Sequence, residues 1–138
     1  MIDKNALLIG SNEISKEAKI SAFCIIENSI ILGNAKIGEY TIIRNSIVDN
    51  SIIGRNCIIE NSNINKNTLI YDYCKIEFTC INSNTKIFDY TSICSKNNDI
   101  LKIGKTCTIS DHQSICESLV DNSFVQPNES NLFLDNYL

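Results

Sequence analysis

The sequence predicts an all-β fold, a parallel β-solenoid of triangular cross-section with about seven coils, and three observations predict it. An aliphatic residue returns every five or six positions along most of the chain; a small residue sits two positions before most of these; glycine and asparagine keep fixed offsets from them. β-Branched segments this short cannot be helices. They are also too closely spaced for a sandwich, whose strands recur about every 8–12 residues. Three such segments close one triangular coil, and stacking coils lets each bury its apolar side against the next.

The aliphatic ladder reads Ile9, Ile14, Ile20, Ile26, Leu32, Ile37, Ile43, Val48, Ile53, Ile59, Ile64, Ile70, Ile76, Ile81, Ile87 and Ile93, then Ile103, Ile109, Ile115, Val120 and Val125. These 21 rungs make seven coils, with columns such as Ile26, Ile43, Ile59, Ile76 and Ile93. Strand alternation puts a residue two back on the same face. The small residues there, including Ala18, Cys24, Ala35, Thr41, Ser46, Ser51, Cys57, Ser62, Thr68, Cys74 and Cys107, are therefore expected to point inward; Ile30, Leu101 and Gln113 break the rule. All five glycines directly follow a ladder residue. Asparagine falls three before one at Asn34, Asn45, Asn50, Asn56, Asn61, Asn67, Asn84 and Asn122, as corners with positive φ would favour.

The register sets the rest of the organisation. Residues 1–8 are expected to cap one end, 9–126 to form the solenoid, and 127–138 to form a closing tail. In that tail Pro127 removes a donor and Leu132, Phe133, Leu134, Tyr137 and Leu138 fold over the open prism. The polar stretch CSKNNDIL, about residues 94–101, interrupts the ladder and is expected to leave the coil as a loop, a place where rigid scaffolds carry function. Ile25, Ile31, Ile42, Ile47, Ile52 and Ile58 are expected to point outward, and aliphatic rows on an outer face imply that the face is covered.

A net charge of −4 and a pI near 4.9, with no block of like charges, leave no basic footprint for nucleic acid or anionic lipid. No apolar run approaches the roughly 18 residues of a membrane span, and the opening is too polar for a signal peptide, so a cytoplasmic location is expected. Seven cysteines without a CxxC pair read as reduced thiols. Cys24, Cys57, Cys74 and Cys107 fill inward small positions, whereas Cys80, Cys94 and Cys116 flank ladder residues and should face outward.

His112, the only histidine, lies three before Ile115 and is expected at an exposed coil corner. With Asp111 adjacent and Ser110 and Ser114 near, it is the candidate general base, because imidazole titrates close to neutrality. No cofactor-binding residues and no metal site are assigned from the pattern.

The repeat resembles the hexapeptide-repeat superfamily, in which an aliphatic residue, often glycine, two variable residues and a small residue recur. The resemblance runs from about Ile9 to Pro127 and implies a left-handed parallel β-helix. Members that act as γ-class carbonic anhydrases hold zinc with three histidines, which a single histidine cannot supply. The run NSIVDNSIIGRNCIIENS is similar to the β-helix of sugar-nucleotide pyrophosphorylases, but the residues ahead of Ile9 show no counterpart of their Gly-rich nucleotide-binding domain, so nucleotidyl transfer is not expected. The main expectation is a non-catalytic assembly or regulatory subunit that binds another protein, like the small β-helical subunits at dynactin's pointed end. FVQPNESNLFL is similar to the closing segment of such subunits. The alternative is a CoA-dependent acyltransferase, which implies a homotrimer, acetyl-CoA in the groove between neighbouring helices, His112 as base and the loop over the site. Against it stands the absence of the family's Trp or Gly-rich CoA-contacting stretch after that histidine.

Overall fold

The computed structural model describes residues 1–127. The chain winds through three parallel sheets in turn, giving about seven coils. Sheet I has seven strands: Leu7–Ile9, Ile25–Glu27, Ile42–Arg44, Ile58–Glu60, Lys75–Glu77, Ser92–Cys94 and Ser114–Ile115. Sheet II has six: Glu13–Ile14, Ile30–Leu32, Ile47–Asp49, Asn63–Ile64, Thr79–Ile81 and Leu101–Ile103. Sheet III has seven: Lys19–Ile20, Lys36–Ile37, Ile52–Ile53, Leu69–Ile70, Lys86–Ile87, Thr108–Ile109 and Phe124–Val125. No helix of the described residues is long and apolar enough to cross a membrane.

Stacking in register explains the repeat. Ile59 pairs with Ile43 on one side and Ile76 on the other, so identical β-branched side chains nest in a dry column inside the prism. The small inward residues do a second job beyond fitting the corner. Ser29, Ser46 and Ser62 each accept from the backbone N–H of the residue one coil on, Ser46, Ser62 and Thr79, all at 3.1 Å. Each hydroxyl also donates to a carbonyl two residues earlier in its own coil, at 2.7–2.8 Å. A hydroxyl there satisfies buried backbone at a corner where the ladder opens, and no buried side-chain polar atom among the described residues lacks a partner.

The register departs from the expected one in three places. In the second coil Ile31 is the buried rung, pairing with Ile14 and Val48, and Leu32 turns outward. The small residue two back is then Ser29, so the Ile30 exception disappears; Ile30 faces out beside Ile47. At the first coil Leu8, rather than Ile9, stacks on Ile26. Near the other end Leu119 bridges to Ile103 while Val120 is 80 % exposed. Consequently only Gly38, Gly54 and Gly104 directly follow rungs. Gly10 and Gly33 come one residue later and take positive φ, 72° and 62°, at the corners that Asn28 and Asn50 occupy one coil on.

Residues 1–9 join the stack at its end: Ile2 bridges to Ile20 and Leu7–Ile9 pairs with Ile25–Glu27. The expected closing residues from Leu132 to Leu138 lie outside the described residues. The break in the ladder is a loop over residues 95–100, from the end of Ser92–Cys94 in sheet I to the start of Leu101–Ile103 in sheet II. Leu101 is a large residue in a small inward position, opposite Thr79.

Candidate active site

His112 stands at the corner between Thr108–Ile109 of sheet III and Ser114–Ile115 of sheet I, with φ of 58° and its side chain 68 % exposed. Its backbone N–H donates to Asp89 O at 2.9 Å, fixing the corner to the coil below. Its Nδ1 lies 2.8 Å from Asp111 Oδ2, and its ring stacks on Tyr90, centroids 5.0 Å apart and 19° from parallel. A carboxylate on Nδ1 selects the tautomer that donates there and leaves the Nε2 lone pair free. The hydrogen bond from His112 holds the Asp111 carboxyl below its ordinary range. The result is an oriented imidazole with an acceptor nitrogen, which can take a proton from a hydroxyl or amine held beside it.

The two serines expected nearby do not join this pair. Ser110 donates to Val125 O, and Ser114 lies in the outward column beside Ser92. Cys24, Cys57, Cys74 and Cys107 are buried in inward positions, the first three before rungs of sheet I and Cys107 before Ile109 of sheet III, whereas Cys80 and Cys94 are half-buried and Cys116 is exposed. Burial pushes the Cys24 thiol up; hydrogen bonding with Cys74, and then burial, raise that of Cys57. Among the described residues no three His, Cys, Asp or Glu side chains converge on a point that would hold a metal ion.

Sequence reasoning missed what surrounds the histidine. The corner that carries it is an aromatic column: Phe23, Tyr40, Asn56, Tyr73, Tyr90 and His112 occupy equivalent turns, all with φ between 57° and 62°. Phe23 stacks on Tyr40 at 5.1 Å and Tyr73 on Tyr90 at 4.8 Å, so His112 is the last ring of a stack. Stacking of this kind is worth about 0.5–1.5 kcal/mol per pair and offsets the cost of holding a bulky residue left-handed. The signal was present as an aromatic or histidine three before Ile26, Ile43, Ile76, Ile93 and Ile115.

The loop does not sit over His112. It emerges at the corner between sheets I and II, whereas His112 lies at the corner between sheets III and I, the full width of sheet I away. The loop's Ile100 instead helps line a depression of about 370 Å³ on sheet II with Ile47, Asn63, Phe78 and Cys80. A smaller apolar notch of about 250 Å³ on sheet III opens where Gly54 lies beside Ile52, Leu69 and Tyr71. Neither depression includes His112.

No protein-family model matches the chain, and no curated protein matches it. Among solved structures it is similar to a hexapeptide transferase family protein from Anaplasma phagocytophilum, with 11 % identity over 99 % of this chain and 84 % of that one and a TM-score of 0.65. The UDP-N-acetylglucosamine acyltransferase of Francisella novicida aligns at 19 % identity and a TM-score of 0.41, over 88 % of this chain and 62 % of that one. That of Campylobacter jejuni aligns at 13 % and 0.41, over 88 % and 69 %. The first likeness shows that the two chains share a parallel β-solenoid fold.

Proposed function

We propose that this protein is a CoA-dependent acyltransferase in which His112 is the general base and Asp111 orients it. One observation carries the reading: the Asp111 Oδ2 to His112 Nδ1 contact at 2.8 Å, on an exposed corner of a rigid stack. His112 Nε2 removes the proton of an acceptor hydroxyl or amine as that atom attacks the thioester carbonyl of the acyl donor. Asp111 stabilises the imidazolium, and CoA leaves as a thiolate that takes up a proton. The loop and His112 stand at different corners of one prism, so this loop leaves the site open, and in this reading a second copy covers it. The outward aliphatic column Leu7, Ile25, Ile42 and Ile58 on sheet I gives such a copy a surface to cover.

Thiol release from acetyl-CoA, measured with a panel of amine and hydroxyl acceptors, tests the proposal. His112→Ala should lower the rate by about 10²–10⁴-fold while the chain stays folded, its melting temperature falling only by what the lost Tyr90 stack accounts for. A rate that His112→Ala leaves unchanged would favour the second reading, a non-catalytic assembly subunit. The same aliphatic column supports that reading, since a partner protein would cover it equally well.

A further inference from the structure

Cys94 and Cys116 lie one strand apart at the end of sheet I. Ser92 pairs with Ser114 and Ile93 with Ile115, so Cys94, the last residue of its strand, and Cys116, the residue directly after its strand, each follow the last paired position. Cys94 belongs to an outward column, opposite Glu77, and is half-buried; Cys116 is exposed. Neighbouring parallel strands run about 4.8 Å apart, inside the roughly 4.4–6.8 Å that a disulfide spans between Cα atoms.

The backbone at both residues has room to adjust. Ser114–Ile115 is the last strand in the order of its sheet, paired on one side only among the described residues, and the loop over 95–100 begins directly after Cys94. From this geometry we propose that Cys94 and Cys116 are a dithiol site that a low-molecular-weight disulfide oxidises to an intramolecular disulfide. The exposed Cys116 thiolate attacks one sulfur of the small disulfide and expels its first thiolate. Cys94 then attacks the Cys116 sulfur of that mixed disulfide and expels the second. The two cysteine protons end on the two released thiols, the protein loses two electrons, and the small disulfide gains them.

A second pair of neighbours shows what the first has that it lacks. Ile58 pairs with Lys75, which puts Cys57 beside Cys74 in the same way, but both are buried and their thiols donate to the carbonyls of Tyr71 at 3.0 Å and Phe88 at 3.1 Å. No oxidant reaches them in the folded chain. Cys80, between Asn63 and Lys102 in its column, has no thiol neighbour there and can form only a mixed disulfide.

The test uses the reduced full chain, incubated with excess glutathione disulfide, blocked with N-ethylmaleimide without unfolding and digested with trypsin. Lys96, Lys102 and Lys105 lie between the two cysteines, so cleavage separates them. A linked pair of peptides, lighter by two hydrogens than the sum and lost in Cys116→Ser and Cys94→Ser, is the expected result. Those variants should melt as the wild type does. Separate glutathione adducts on Cys94 and Cys116, both thiols remaining free, or a Cys57 to Cys74 link in their place would overturn the proposal.

Discussion

Replacing Ile31 with alanine should destabilise the fold far more than the same change at Leu32, its neighbour in sequence and equal in size. Ile31 is fully buried and stacked between Ile14 and Val48. Its truncation forfeits about 1.5–3 kcal/mol of apolar burial and adds the cost of the cavity. That cavity cannot readily close. The backbone around it is clamped, with Ser15 N donating to Ile31 O at 2.8 Å and the next coil paired in register. The loss should fall in the upper half of the roughly 2–5 kcal/mol range for such truncations. Leu32 is half-buried on the outer face opposite Asp49, and its truncation should cost less than about 1 kcal/mol. Urea unfolding followed by circular dichroism measures both. A larger loss at Leu32 than at Ile31 would refute the register of the second coil.

Other consequences concern charge. Asp111 should titrate below an ordinary aspartate because His112 hydrogen-bonds the ionised form, so this bond is kept above the ordinary carboxylate value and lost as pH falls through the lowered one. Carboxyl carbon shifts followed against pH should show that value rising in His112→Ala. Arg44 Nε lies 3.0 Å from Glu27 and its Nη1 4.0 Å from Glu60, in a column that also holds Glu77. Arg44→Glu removes these pairs and aligns four carboxylates on neighbouring strands, which should cost about 1–2 kcal/mol at low salt. Raising the salt to 1 M should recover much of that loss of melting temperature.

The period of the fold was legible because stacking forces it: every rung must meet another aliphatic rung one coil on, so the spacing of Ile, Ser, Thr and Cys repeats with the coil. The register failed where two aliphatic residues stood side by side, at Leu8 and Ile9, Ile31 and Leu32, and Leu119 and Val120. Hydrophobicity cannot choose within such a pair. At Ile31 the choice is made by Ser29, whose hydroxyl has to sit inside the corner to bridge Glu27 O and Ser46 N. The corner position and exposure of His112 followed from its offset to Ile115, but its stacking on Tyr90 did not. The asparagine rule for positive φ hid the aromatic residues that take the same conformation, because rings on successive coils stabilise one another across the ladder rather than along it. The separation of the loop from His112 was out of reach of one-dimensional spacing as well, since it depends on which corner each occupies.

Native mass spectrometry of the purified protein, with and without acetyl-CoA, addresses the central claim most directly, because acyl transfer at a site completed by another copy requires both self-association and donor binding. The account predicts a homotrimer that gains one CoA-sized ligand per copy. A monomer, or a species that carries another polypeptide and ignores acetyl-CoA, would contradict it.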